Sequence, residues 1–311
     1  MTVVAAGRET TGHGGRPADR ARLRRRRATN RLLWGSCGVA LALVVIPVVW
    51  IVAGVASQAL AHWHWSVLTT TTVGQNGGLA NAIVGTLVIV VLVAIVAGAI
   101  GVGGAVYLAE FTSEGRGSFL RGASEVLSGI PSIVLGYVGY ITLVVAFHWG
   151  FSLAAALVVL SVMVLPYIVK STEVALRQVP TNYREGAEAL GMRSGYALRK
   201  LVIRPALPGI ATGLILALAI ALGETAPLLF TAGWSDHFPT AHLTHASIGY
   251  LPYVVYEFYN QPYASSQRLS HLAALLLIVF VLFLIVAARL IVSLTQNNAP
   301  DRPQRPSRAA K

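Results

Sequence analysis

Ionisable side chains inside otherwise apolar segments are the residues of this chain that packing explains least well. Glu224 lies in a long apolar run, and Lys170 and Glu173 lie near the end of another. A charge in hydrocarbon is costly, so such a residue is by default a functional candidate. Two plainer interpretations stay open: Lys170 can extend its stem to the membrane interface, and Glu224 can be a structural tie. With the adjoining hydroxyls, the candidates for a polar path are Lys170, Thr172, Glu173, Glu224 and Thr225.

A second group of polar residues lies in the segment 174–208, between two apolar runs. Asn182 is a good N-cap, and Glu185 three residues later completes a capping-box pattern. Gly191 then supplies a left-handed stop, and Ser194 can cap a second short helix, which Pro205 and Pro208 are expected to end. The pattern predicts a helix, a glycine turn and a helix. Such a unit favours docking to another protein, while an ordinary amphipathic loop is the alternative.

Membrane-spanning helices are the elements that must position these residues. The chain is 55% hydrophobic and 12% charged, with a mean hydropathy of +0.65, whereas soluble domains carry about 25% charged residues. Several apolar runs reach the roughly 20 residues that cross a bilayer as helix. We therefore expect an all-α polytopic protein. The six predicted spans are 32–56, 80–107, 126–147, 151–173, 208–231 and 269–294.

The distribution of basic residues predicts the orientation of these spans. Of the 24 Lys and Arg residues, nine lie within residues 8–31, and Arg268 alone falls on the side that we assign as external. This asymmetry follows the positive-inside bias and places both termini in the cytoplasm of a multi-pass cell-membrane protein. The net charge of +12 then favours contact with anionic membrane lipid rather than with nucleic acid, because no basic element carries interleaved base-reading side chains.

The chain divides into a membrane domain and two polar tails. Residues 1–30 are expected to be a disordered cytoplasmic basic tail, residues 31–294 the transmembrane domain with its polar loop at 177–208, and residues 295–311 a cytoplasmic tail. The first apolar run is longer than the 7–15 residues of a signal-peptide core, which favours an uncleaved helix. Cys37 is the only cysteine and is expected to act as a small hydrophobe.

Searches for catalytic and cofactor motifs are negative. The chain has no P-loop sequence, so we expect any ATP hydrolysis to occur in another chain. No catalytic residue is assigned and no cofactor is expected. His237, His242 and His245 share a loop, but histidines without cysteine or a fixed scaffold are more often solvated, so no metal site is assigned.

Residues 185–203 resemble the EAA loop of ABC-importer permeases: Glu185-Gly186-Ala187, then Gly191, then nine residues before Leu201. The block LALAIALGETAPLLFTAG at 216–233 is similar to phosphate-importer permeases of the PstA type, and the resemblance covers roughly residues 75–290. It implies a type I importer fold and a coupling helix that docks on a cytoplasmic ATPase. The residues assigned to that contact are Glu185, Gly186, Ala187, Glu188, Ala189, Gly191 and Ser194.

The same resemblance implies the partners and a role for the polar path. A dimer of ATP-binding subunits, a second homologous permease and an extracytoplasmic phosphate-binding protein are expected. An anion needs a wet, charge-compensated path that does not hold it tightly, so a few polar groups suffice. We expect Glu224 to pair with a base from a neighbouring helix or from the partner permease.

Three departures from the family pattern bear on this interpretation. Gly186 replaces the usual middle alanine of the loop, which costs up to about 1 kcal/mol of helix propensity. Pro205 comes one place later than the family's proline, and Ile220 stands where phosphate permeases often carry arginine, four residues before Glu224. Ile220 leaves open a permease for phosphonate, sulfate or molybdate. An intramembrane enzyme that uses Glu224 and a loop histidine is the remaining alternative.

Overall fold

The computed structural model describes residues 17–297 of the 311-residue chain. Helices form nearly all of it, with one two-stranded antiparallel hairpin, β1 (Thr72–Val73) and β2 (Asn76–Gly77). The helices of the described part are α1 (Pro17–Ala61), α2 (Ser66–Thr69), α3 (Ala80–Glu110), α4 (Glu114–Ser128), α5 (Ser132–Gly139), α6 (Leu153–Arg177), α7 (Asn182–Ala189), α8 (Ser194–Ala197), α9 (Arg204–Gly223), α10 (Ala226–Thr231), α11 (Leu251–Tyr253) and α12 (Ala264–Asn297). Three π-helical segments continue α5, α8 and α11, at Tyr140–Ala146, Leu198–Ile203 and Val254–Phe258.

Five helices of the described residues are long and apolar enough to cross a membrane, or six if one bent pair counts as a single span. The bent pair joins 115–128 to 132–146 at an angle of 92°. The predicted third span, 126–147, is therefore wrong as one straight helix. Gly129 and Pro131 lie at the bend. They explain the break in the helix, because glycine weakens a helix and proline disfavours helical backbone in the residue before it.

The chain divides into two compact units, Met1–Gly54 and Val55–Lys311. In the described part of the first unit, α1 exposes apolar side chains all round, such as Leu41 and Trp50. A helix of this kind needs lipid around it. Residues 17–30 are helical, which corrects the predicted disorder there: proline is favoured at a first helical position and the following alanines and arginines are good helix formers. Residues 1–16 and 298–311 of the predicted tails lie outside the described residues.

The core of the second unit is formed by α3, α6 and α9, with α12 packed against α9. Buried aliphatic side chains fill it, among them Val93 of α3, Leu160 and Ile168 of α6, and Ala217 of α9. Small residues let these helices approach closely. A Cβ atom added at Gly209 would lie 2.7 Å from Cβ of Ala175, and one added at Gly213 would meet Ser171.

A network of polar side chains fixes the hairpin to the helices. The Asn81 amide nitrogen at the start of α3 donates to the Ser235 carbonyl at 2.9 Å, and its oxygen accepts from the Thr72 backbone N–H at 3.0 Å. The Asp236 carboxylate accepts from the Gly74 N–H and from the Trp234 indole. The 232–250 loop therefore packs over the end of the bundle that carries the hairpin.

Candidate functional site

The unit formed by α7, its turn and α8 closely matches the predicted helix, glycine turn and helix. Gly191 has a φ of +65°, and the Met192 N–H donates to Ala187 O at 3.0 Å while the Gly191 N–H donates to Glu188 O at 2.9 Å. These two bonds form a Schellman motif, which ends α7 and turns the chain. The predicted stop at Gly191 is confirmed.

The predicted helix boundaries around this turn are partly wrong. Thr181, rather than Asn182, precedes α7, and Arg193 precedes α8, with no capping side-chain hydrogen bond at either position. Neither does Pro205 end the second helix, because residues 194–223 run as one helix of 30 residues. The wide π-helical segment Leu198–Ile203 lies directly before Pro205, where the regular hydrogen-bond pattern is already altered and the missing proline N–H costs less.

Six of the seven residues assigned to the ATPase contact are exposed on this unit. Ala187 is the exception and packs inward. The structure adds three large exposed side chains that the sequence analysis missed, Tyr183, Leu190 and Tyr196. Exposed aromatic side chains in a polar loop are a signal of a binding surface. The exposed ones among the assigned residues are Glu185, Gly186, Glu188, Ala189, Gly191 and Ser194.

Arg184 fixes α7 to the ends of α3 and α6. Its guanidinium makes a two-pronged contact with Glu110, with Nη2 to Oε1 at 2.7 Å and Nε to Oε2 at 3.3 Å. It also donates to the carbonyls of Val179 at 3.1 Å and Leu176 at 3.3 Å. A bidentate arginine–carboxylate pair fixes orientation as well as distance. Sequence reasoning missed this contact because 74 residues separate its two partners.

Glu173 lies on α6 in an ion-paired cluster. Its Oε1 accepts from Arg121 of α4 at 2.8 Å and from Arg177 of α6 at 2.7 Å. The Glu173 side chain is only 10% exposed, and a buried carboxylate needs such partners. The two arginines balance its charge without any passing ion, so its assignment to the path stays a prediction.

Lys170 and Thr172 lie on the same part of α6 but on different faces. Lys170 is exposed and lines a cleft of about 430 Å³ with Gly209, Gly213 and Val292. Its ammonium has no ion-pair partner among the described residues. Thr172 is fully buried, and its hydroxyl finds no hydrogen-bond partner in the part of the chain described.

Glu224 and Thr225 lie at a break rather than inside a helix, which corrects the predicted fifth span, 208–231. Helix α9 ends at Gly223, Glu224 is extended with ψ 129°, and α10 begins at Ala226. Ile220 is in the last turn of α9 and Glu224 lies beyond its end, so the spacing of four residues does not correspond to one turn of a continuous helix. Instead, the Ser132 side chain at the start of α5 lies close to the Glu224 carboxyl.

The two breaks in the bundle meet each other. Helix α5 follows the bend after α4, α10 follows the break at Glu224, and α5 packs against α10. A Cβ atom added at Gly136 would lie 2.6 Å from Cα of Pro227. The path candidates thus form two groups, one on α6 around Lys170 and one at the break with Glu224 and Thr225. Gly213 of α9 lines the Lys170 cleft and precedes Glu224 by 11 residues, or about 16 Å of helix.

Comparison with known proteins decides the family. Residues 101–297 match the family described as the binding-protein-dependent transport system inner membrane component. The chain is 56% identical over 275 residues to the phosphate transport system permease protein PstA 2 of Mycobacterium bovis, which covers 88% of this chain and 91% of that protein. The chain belongs to this family of transport permeases.

Further relatives of the permease agree with this assignment. It is 36% identical over 228 residues to the phosphate transport system permease protein PstA of Xylella fastidiosa, covering 73% of the permease and 78% of that protein. An inward-facing structure of the MetNI methionine ABC transporter is 21% identical over 70% of the permease and 95% of that chain, with a TM-score of 0.56. This likeness confirms the predicted type I importer fold. Members of the family are transport subunits rather than enzymes.

Proposed function

We propose that this chain is the permease subunit of an ATP-driven phosphate importer. The identity of 56% to the Mycobacterium bovis phosphate transport permease, over most of both chains, carries this proposal. The GETAP sequence at residues 223–227 lies at the break between α9 and α10. At this position an unwound segment in the membrane can offer polar atoms to a passing ion.

The proposed assembly places the α7–α8 unit in the cytoplasm against a dimer of ATP-binding subunits. A second homologous permease would complete the path, and an extracytoplasmic phosphate-binding protein would deliver phosphate to the opposite end. The Lys and Arg asymmetry of the sequence supports this orientation, with both termini in the cytoplasm. The exposed Tyr183, Leu190 and Tyr196 would supply much of the contact area with the ATPase.

Two physical links would transmit motion from this surface into the membrane. Arg184 connects α7 to α3 and α6 through four hydrogen bonds. The second link is the continuous helix of residues 194–223, which starts at the unit and ends beside Glu224. Because such a helix is about 45 Å long and stiff, a displacement of α8 would move the break at Glu224 directly.

Glu224 would line the path with its charge paired to a base of a neighbouring helix or of the partner permease. Because a carboxylate repels a phosphate dianion, its presence would keep the phosphate from binding too tightly to be released. Ser132 and Thr225 hydroxyls at the same break can donate hydrogen bonds to the phosphate oxygens. Lys170 of α6 would provide a separate positive charge in the cleft lined by Gly213, which lies about 16 Å along α9 from Glu224.

Reconstituted transport tests this proposal. The permease is placed in proteoliposomes with its partner permease, ATPase and binding protein, and radiolabelled phosphate uptake is measured with and without ATP. We expect ATP-dependent uptake that unlabelled phosphate inhibits and that sulfate, molybdate and phosphonate inhibit less. Stronger inhibition by one of these competitors would assign the chain to that oxyanion, the alternative that Ile220 keeps open. Uptake without ATP dependence would reject the importer function.

A further inference from the structure

A polar cleft of about 330 Å³ lies at the opposite end of α12 from the Lys170 cleft. Arg268 of α12 lines it, whereas Val292 of the same helix lines the Lys170 cleft, and their separation of 24 positions corresponds to about 36 Å. His62 and His64, which follow α1, also line the cleft, as does Asn76 of β2. None of the assigned transport residues contributes to it.

The walls of this cleft are held in place by several independent contacts. Leu269 and Leu272 form its apolar floor and belong to a buried cluster that includes Ala59 of α1 and Leu79. The hairpin is joined to α12 by the Ser266 hydroxyl, which donates to the Gln75 side-chain oxygen at 3.3 Å. Packing therefore holds together the segments that carry the residues of the cleft.

The groups that line the cleft favour an anion. Arg268 has no ion-pair partner among the described residues, and no carboxylate is among the lining residues described. The Nδ1 atom of His62 contacts the Gln58 carbonyl at 3.0 Å, and that of His64 contacts the His62 carbonyl at 2.8 Å. A carbonyl only accepts, so each Nδ1 carries the hydrogen. The Nε2 atom of each ring is left for a ligand and becomes a donor when the histidine is protonated.

We propose that this cleft binds a phosphate group, with Arg268 as its permanent charge and the protonated rings of His62 and His64 as further donors. The Asn76 amide and the Ser265 hydroxyl supply neutral hydrogen bonds. A planar guanidinium suits phosphate oxygens. The apolar floor matches the glycerol and acyl portion of a phospholipid, whereas free phosphate would use the polar wall alone. This site does not depend on the proposed transport function.

Two binding measurements on the purified full transporter complex distinguish the two sources of the phosphate group. In the first, equilibrium dialysis with radiolabelled inorganic phosphate counts the bound ions. In the second, native mass spectrometry counts the phosphatidylglycerol retained from nanodiscs of phosphatidylcholine and phosphatidylglycerol. Each is done with the original chain and with Arg268→Gln and Arg268→Lys.

We expect Arg268→Gln to weaken one bound phosphate group at least tenfold in one of the two measurements, since charge-assisted hydrogen bonds are lost. Arg268→Lys should retain most of the binding. The double change His62→Asn and His64→Asn should also weaken the binding, because both rings line the cleft. His271→Asn is the matched control, because His271 lies one turn further along α12 and contacts Gln267 and Tyr259 instead.

The outcome of the two measurements identifies the ligand. Loss confined to phosphatidylglycerol assigns a phospholipid headgroup site, and loss confined to inorganic phosphate assigns a free-phosphate site. Unchanged binding in both measurements for a folded Arg268→Gln complex overturns the proposal. Folding is checked by the retention of the partner subunits during gel filtration. An equal loss in His271→Asn would also overturn it, because the effect would then not be specific to the cleft.

Discussion

Replacement of Arg184 by glutamine should separate ATP hydrolysis from transport. The Arg184 guanidinium contributes four hydrogen bonds, two to Glu110 and two to the carbonyls at the end of α6. Glutamine is shorter and uncharged, so Arg184→Gln removes these contacts and leaves Glu110 without its partner. We expect α7 to remain helical while its attachment to α3 and α6 weakens.

The structure gives the size of this effect. Removal of one partner of a buried ion pair costs about 3–5 kcal/mol, but the side chains of Arg184 and Glu110 are 28% and 14% exposed. Because water screens part of this loss, we expect Arg184→Gln to weaken the attachment of α7 by about 2 kcal/mol. That free energy corresponds to about a 30-fold change in the ratio of attached to detached α7.

The assay is the ratio of phosphate imported to ATP hydrolysed in proteoliposomes at matched protein levels. We expect Arg184→Gln to lower this ratio several-fold while ATP hydrolysis continues. Arg199→Gln is the control, since Arg199 is an exposed arginine of the segment that follows α8, with no ion-pair partner among the described residues. A double-mutant cycle with Glu110→Gln should give non-additive losses, because the two residues act through one contact.

Two results would refute the reasoning. A normal ratio of transport to hydrolysis in an Arg184→Gln complex of normal abundance would show that the Glu110 contact transmits nothing. Additive losses in the cycle would show that Arg184 and Glu110 act independently. A simple folding defect is recognised separately, because it lowers the amount of complex in the membrane rather than the ratio.

The remaining predictions concern the turn, the orientation and the break. Gly191→Pro should abolish coupled uptake because proline cannot adopt the φ of +65°. The control Gly186→Ala should leave uptake intact, because its added Cβ atom meets nothing within 4 Å. Normal uptake with Gly191→Pro would exclude a role for the turn. A cysteine placed at Arg193 should resist an impermeant thiol reagent in intact cells, and one at Thr240 should react, so labelling at Arg193 would reverse the assigned orientation. Glu224→Gln should lower phosphate uptake at matched membrane expression, and neutralising its partner base on the second permease should partly restore it; additive losses for every such base would leave Glu224 as a local structural tie.

The membrane character of this protein and the glycine turn between α7 and α8 were predictable because they depend on local signals. Four long apolar runs became helices close to their predicted positions, since burial of backbone polar groups in lipid requires helix wherever the side chains are apolar. Gly191 was predictable as a turn because a left-handed φ favours glycine whatever surrounds it. The family also followed from short motifs, and the similarity to transport permeases confirmed it.

Tertiary structure alone decided which polar residues act together. Glu110 and Arg184 are 74 residues apart, and neither has a local pattern that indicates the other. The pairing of Glu173 with Arg121 and Arg177 was equally invisible in the sequence. The break at Glu224 and its approach to Ser132 were equally hidden. The reason is physical: apolar sequence determines that a segment enters the membrane, whereas ion pairs and helix breaks depend on which neighbours packing brings into contact.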